Sequence, residues 1–470
     1  MELEAVIGLE IHAQLSTKSK LWCGCDNDAF GAEPNTRVCP VCMGFPGMLP
    51  VLNADALAKA LKGAASLGCA LQKFSKFDRK NYFYPDLPSG FQISQYDQPI
   101  SLKGKVEIEV DGKERVIGIT RVHLENDAGK LVHTKEGTLC DFNRAGTPLI
   151  EIVTDPDLRS AEEAKIFAQE IQKILRFVGA SDADMEKGMM RFDASVSLRP
   201  RGEKKLYPRS EIKNLNSFVS LFKAIQHEFE RQKKLWEAGT PPQRESTVGW
   251  LEEEEKTVLL RDKESAHEYR YFPEPDVPPI VLTDKEIKEI EKSIPELPLA
   301  KFHRYRKELK LADADALKLA EDSELSRFFE AVADKSGNAK KSANIMLSVI
   351  LATPNWRQTP LTPDHVADVL DLMEKGKVSS TGGKEILAKI METGKSADDL
   401  MDELGLEQVS DTKGLSEWVQ KAITENPQSV KDYLAGKEKA LQFLMGQVMK
   451  LSGGAANPGV VGEMIRKELK

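Results

Sequence analysis

Residues 6–15 read VIGLEIHAQL, and the strict alternation in that stretch fixes the kind of element it can form. Side chains two apart on an extended strand share a face, so Glu10, His12 and Gln14 project together. Leu9, Ile11, Ala13 and Leu15 make an opposite face that can pack. Directly after it come Cys23 and Cys25, thirteen residues, then Cys39 and Cys42. Each close pair closes a short chelate loop and thiolate is a preferred ligand of Zn2+, so these four cysteines are a candidate structural zinc site. Buried free thiols or disulfides are the alternative, and disulfides do not suit a reducing compartment.

A chain of 470 residues has material for two to four domains, and its 41% hydrophobic and 30% charged content is that of an ordinary soluble protein. The start is acidic, without the basic and long apolar regions of a secretory signal, and the most apolar short window, 343–352, is too short to span a bilayer. All six cysteines precede residue 141, which makes them local chemistry rather than a disulfide framework. A cytoplasmic location with no membrane association is expected. The net charge of -8 argues against a broad electrostatic grip on nucleic acid, although local basic clusters occur around 73–80, 199–209 and 301–307.

The first ~280 residues pattern as mixed α and β. Alternation at 105–110, the turn dipeptide Asp111-Gly112 and further alternation at 116–124 predict a hairpin. Ser160 and Glu163 form a capping box for a helix over 160–178, with Phe167, Ile171, Ile174, Leu175 and Val178 on one face. Phe192, Ala194, Val196 and Leu198 alternate with Arg191, Asp193, Ser195 and Ser197, and a second helix is expected over 217–236. Proline clusters at 273–279 and 295–298 break the pattern. Beyond ~300 nearly every segment reads as a short amphipathic helix, with starts at Thr362-Pro363, Ser396, Ser429 and Asn457-Pro458, and with Gly405 and 410–414 suggesting a division.

Three further strand-like segments set an acid among apolar neighbours: Glu125 in VHLE, Glu151 in PLIEIV and Asp193 in FDA. A carboxylate facing a packed interior is costly unless it is paired or bound to metal. Together with Glu10 and His12 these acids would suit a hard cation, Mg2+ or Mn2+, that bridges to nucleotide phosphates; acids on a solvent-facing strand are the alternative. The loop DRKNYFYPDLP at 78–88 mixes cations, aromatics and prolines, a chemistry that suits a nucleotide or an unstacked nucleic-acid end, or a rigid loop over a core edge. No G-x-x-x-x-G-K-[ST], G-x-G-x-x-G or G-x-S-x-G motif is present.

Over essentially its whole length the chain resembles the B subunit of the bacterial glutamyl/aspartyl-tRNA amidotransferases. The resemblance is carried by VIGLEIHAQL at 6–15, the four-cysteine set, VCMGFPGMLPVLN at 41–53, DRKNYFYPDLP with SGFQISQYDQP to 99, VHLENDAGKL at 122–131, DFNRAGTPLIEIVTDPDLRS at 141–160, EIKNLNSF at 211–218 and EYRYFPEPD at 268–276. It implies a heterotrimeric carbon–nitrogen ligase in which this chain binds a misacylated tRNA beside two partner subunits, one an amidase and one small. ATP would phosphorylate the side-chain carboxylate of its glutamate or aspartate, and ammonia freed from glutamine by the amidase would displace phosphate. Carried over, Glu10, His12, Glu125 and Glu151 become ligands of the divalent metal with Asp193 contributing, and Arg79 and Lys80 touch phosphate or the tRNA terminus. The implied fold is α+β: a catalytic cradle with the zinc loop over 1–295, a helical domain over 296–405 and a helical tail contacting tRNA over 406–470. Three stretches depart from the family pattern: Phe192 and Ser195 around Asp193, residues 245–250, and Gly454 to Pro458, where a cation is lost from the tail. Two competing readings are a non-enzymatic zinc protein that binds RNA, and an archaeal-type relative restricted to Glu-tRNA(Gln), whose inserted domain this length cannot hold.

Overall fold

The computed structural model describes residues 2–262, 269–408, 412–452 and 456–469. It forms two compact units, Met1–Ala300 and Lys301–Lys470. The first is α+β, built on a nine-stranded sheet. In chain order its strands are β1 (Leu3–Gln14), β2 (Ala70–Leu71), β3 (Ser101–Val110), β4 (Lys113–Asn126), β5 (Pro148–Thr154), β6 (Met190–Pro200), β7 (Ser210–Leu215), β8 (Ser246–Leu251) and β9 (Lys256–Asp262). They lie side by side as β9-β8-β7-β6-β1-β5-β4-β3-β2, antiparallel throughout except for the parallel pair β7 and β8. The hairpin expected at 105–124 is β3 and β4, joined through Asp111 and Gly112, both at positive φ as a two-residue turn requires.

Helices α1 (Ala54–Ser66), α2 (Ala161–Phe177) and α3 (Phe218–Glu237) contribute to the core that covers one face of the sheet. Ile7, Leu9, Ile11 and Ala13 of β1 are buried in one core with Leu61 of α1, Phe167 and Ile171 of α2, and Leu221 and Ile225 of α3. Burying a side chain such as Phe167 or Ile171 stabilises the unit by about 1.5–3 kcal/mol. Ser160 caps α2 by accepting from the Glu163 amide. The reciprocal half of the expected capping box is displaced, because Glu163 Oε2 accepts from the Arg159 amide at 2.7 Å.

The second unit is helical and carries two hydrophobic clusters, one running from Tyr305 to Met401 and one from Leu415 to Ile465. Thr362, Ser396 and Asn457 cap helices as their sequence positions indicate. Ser429 does not: that helix is Pro427–Leu434 with Asn426 before it, since proline is pre-organised for the first helical turn. Of the division expected at Gly405 and 410–414, Gly405 ends the helix Ala397–Leu404, residues 410 and 411 lie outside the described residues, and the helix Thr412–Glu425 begins within the second stretch.

Candidate metal centre and zinc loop

Residues paired across neighbouring strands point to the same face, so the register of the sheet decides which side chains meet. His12 on β1 lies opposite Glu151 on β5, and Glu151 lies opposite His123 on β4. Glu125 is two residues along from His123 and therefore shares its face. On the other side of β1, Glu10 lies opposite Asp193 and His12 opposite Arg191, both on β6. A polar stripe thus crosses the centre of the sheet on the face away from the three helices.

The structure divides the expected ligands into two adjoining groups. His12, Glu125 and Glu151 each offer an atom within 4.8 Å of the others, and Glu10, Asp193 and Glu211 form a second group of the same span. Glu10 is therefore not a member of the first group: it sits one same-face position further along β1, nearer the β6 and β7 side. Lys213 bridges the second group, 2.7 Å from Asp193 Oδ2 and also paired with Glu211. In the first group His12 Nε2 stands 3.2 Å from Glu151 Oε2 and 3.7 Å from Glu125 Oε1. His123 Nε2 is 3.5 Å from an oxygen of each of the two glutamates, and Ser94 Oγ donates to Glu125 Oε2 at 3.0 Å.

Electrostatics follow from this packing. Burial opposes ionisation of Glu125 and Glu151, yet the histidines outweigh it; both carboxyls lie below their ordinary value, Glu151 well below. Burial likewise works against the charged form of His12, but the hydrogen bond to Glu151, with the charges of both glutamates, lifts the imidazole above its usual value. Glu10 shifts the other way: burial and the neighbouring Glu151 charge raise it, while Lys213 offsets part of the rise. The Nδ1 atoms of His12 and His123 are buried without a hydrogen-bond partner. Two clustered carboxylates and the His12 Nε2 that faces both fit a hard divalent cation, which takes oxygen ligands and tolerates one imidazole.

The two cations of the 78–88 loop go to different places. Arg79 is held by Glu274 through Nε at 2.7 Å and Nη2 at 2.9 Å, and by Asp276 at 3.1 Å. Lys80, the next residue on the strand Asp78–Asn81, faces the other way and packs 4.9 Å from the ring centroid of Tyr269. Burial disfavours its charge, but Glu125, then Tyr271 and Glu151, raise its pKa. Lys80 therefore belongs to the acidic face, whereas the structure commits Arg79 to bracing the 274–276 segment.

Cys23, Cys25, Cys39 and Cys42 converge, each with its sulfur within 4.8 Å of the others. A bridge between Ser19 and Asp26 closes the loop that carries the first pair. The Cys39 amide donates to Cys42 Sγ at 3.2 Å, and Lys20 Nζ approaches the same sulfur at 3.6 Å. The Cys42 thiol is held below its ordinary value by the hydrogen bond from Cys23, with help from Lys20, while burial raises Cys25. Four sulfurs at this spacing fit zinc and leave no open position, so the site is suited to a structural role. Trp22 Nε1 donates to Asn126 Oδ1 at 3.0 Å, which ties this loop to the end of β4 beside Glu125.

Sequence reasoning had not singled out His123, Glu211 or Lys213. The signal for His123 was its place two residues before Glu125 on an alternating strand; for Glu211 and Lys213 it was the alternation within 211–215. Residues 5–288 match the family described as the GatB/GatE catalytic domain, and residues 327–469 match the GatB domain. Proteins named as the B subunit of aspartyl/glutamyl-tRNA(Asn/Gln) amidotransferase are 46% identical in Caldicellulosiruptor saccharolyticus and in Persephonella marina, each alignment covering 100% of both chains. The protein of that name in Moorella thermoacetica is 45% identical over the same full extent. With a match that runs from end to end, this chain belongs to the family of B subunits of the aspartyl/glutamyl-tRNA(Asn/Gln) amidotransferases.

Proposed function

We propose that this chain is the part of a glutamine-dependent amidotransferase that binds misacylated Glu-tRNA(Gln) or Asp-tRNA(Asn) and activates the side-chain carboxylate with ATP. It works in the cytoplasm with two partner subunits, one an amidase and one small. The single observation that carries this reading is the packing of His12, Glu125 and Glu151 within 4.8 Å of one another on one sheet face. These three residues, with Glu10 and Asp193 alongside, would hold Mg2+ or Mn2+, which would supply charge neutralisation to phosphate oxygens.

The rest of the chemistry falls to positioning and charge. An oxygen of the tRNA-borne carboxylate takes the γ-phosphoryl group as its bond to ADP breaks. Ammonia from the amidase then forms the carbon–nitrogen bond, the carbon–oxygen bond to phosphate breaks and the nitrogen loses a proton. Lys80, held charged beside Glu125 and Glu151, is the chain's own cation for the transferring group. Arg79, paired with Glu274 and Asp276, braces the 274–276 segment beside it. His123 orients the two glutamates, and the zinc loop anchors the end of β4. Residues 1–295 form the catalytic cradle, 296–405 a helical domain and 406–470 a helical tail that contacts the tRNA body.

The test is an amidation assay of the reconstituted complex with each misacylated tRNA. The wild-type complex is expected to make Gln-tRNA(Gln), Asn-tRNA(Asn) or both, and Glu151→Ala to abolish this while glutaminase activity persists. Undiminished amidation by Glu151→Ala would remove the basis of the reading.

A further inference from the structure

Beside the acidic face, two segments far apart in the chain build a wall of tyrosines. Tyr96 stacks on Tyr271 with ring centroids 4.2 Å apart and planes only 6° from parallel. Tyr271 meets Tyr269 edge-on at 6.0 Å, and Tyr269 meets Tyr82 edge-on at 6.2 Å. Lys80 lies over Tyr269, 4.9 Å from its ring centroid, and Ser94, two residues before Tyr96, donates to Glu125 Oε2 at 3.0 Å, which sets the rings beside the glutamates.

The wall is held in shape by polar clamps. Asn81 donates through Nδ2 to the carbonyls of Arg270 at 2.7 Å and Tyr269 at 3.2 Å, and its amide donates to Tyr269 O at 3.0 Å. Arg270 takes a φ of 46°, a left-handed conformation costly for a non-glycine residue, which turns the chain so that Tyr269 and Tyr271 both reach the wall. The Arg79 pairs with Glu274 and Asp276 pin the segment again. At the outer end Tyr96 is 58% exposed although Tyr271 covers one of its faces, so its other face is open to solvent.

We propose that Tyr96 is a stacking platform for the unpaired 3′ end of the tRNA as it runs along this wall, one of the last three bases lying on the open face of its ring. Several rings in succession with a cation among them match a single strand, whose successive bases each present a π-face, better than one nucleotide. The wall also starts next to Glu125 and Glu151, as an amino acid esterified to that end requires. This inference deepens the function proposed above and rests on it for the identity of the strand.

The experiment measures binding of uncharged tRNA to the assembled complex, full-length and lacking its last three nucleotides, for wild type, Tyr96→Ala and Tyr96→Trp. Tyr96→Ala is expected to weaken full-length tRNA by about 5- to 150-fold, the range for losing one base–aromatic stack, while leaving truncated tRNA unchanged. Tyr96→Trp should hold full-length tRNA at least as well as wild type, with its indole fluorescence quenched on binding. Equal affinities of wild type and Tyr96→Ala for full-length tRNA would overturn the proposal. So would an equal loss on truncated tRNA. Binding needs no turnover, so a wild-type complex that bound tRNA in this way yet failed to amidate would count against the catalytic reading and not against the stack.

Discussion

At the level of single residues, the site works by setting two buried glutamates against two imidazoles. In the free protein His12 is raised and Glu151 depressed, so their ion pair stabilises the fold between the two shifted values. The His12 contribution is fully present below about pH 6.5, the value of an unperturbed imidazole, and is lost as pH rises through its raised folded value. The Glu151 contribution is present above about pH 4.5 and is lost as pH falls through its depressed one. The melting temperature of wild type should therefore exceed that of His12→Gln most near pH 5–6, with the gap closing toward alkaline pH. A gap that widened as pH rose would contradict the pairing. Glu10, His12, Glu125 and Glu151 were legible because each stands as a polar residue in an apolar strand. Their division into two groups was not, because it depends on the register of β1 against β5 and β6, which is set by pairing across more than a hundred residues. The same limit hid the separation of Arg79 from Lys80, since Glu274 lies 195 positions from Arg79.

Among the elements, the four-cysteine loop is the one whose shape the sequence dictated most directly. Two short chelate turns leave little freedom in how four thiolates meet, and the cysteines converge as the spacing indicated. About one zinc per chain is expected from elemental analysis, lost in Cys39→Ser together with a fall in melting temperature, because ligand binding and local folding are one equilibrium. Zinc retained at full stoichiometry by Cys39→Ser would place the metal elsewhere. Helix starts were equally readable where a capping side chain is followed by apolar periodicity, as at Ser160, Ser217 and Thr362. The start assigned to Ser429 failed because Asn426-Pro427 offers a better first turn two residues earlier. The tyrosine wall could be read only in half: Tyr82 lies in a loop whose composition drew attention, but its partners Tyr269 and Tyr271 reach it through backbone clamps at Asn81.

At the scale of the molecule, the candidate metal-ligand clusters found among the described residues lie in the sheet unit, and the helical unit has cores of its own. No helix among the described residues is long and apolar enough to cross a membrane. The composition shift near residue 300 made the change from mixed to helical structure visible from the chain alone, because helical and strand periodicities differ and prolines mark the change. The central claim is that side chains from three neighbouring strands hold one hard cation. Manganese EPR on the assembled complex with a non-hydrolysable ATP analogue tests it most directly, using His12→Ala, Glu125→Ala and Glu151→Ala. One bound Mn2+ per complex should be seen in the wild type and in Cys39→Ser, and its affinity should fall at least tenfold in each of the three variants. Unchanged Mn2+ affinity in all three would contradict the claim.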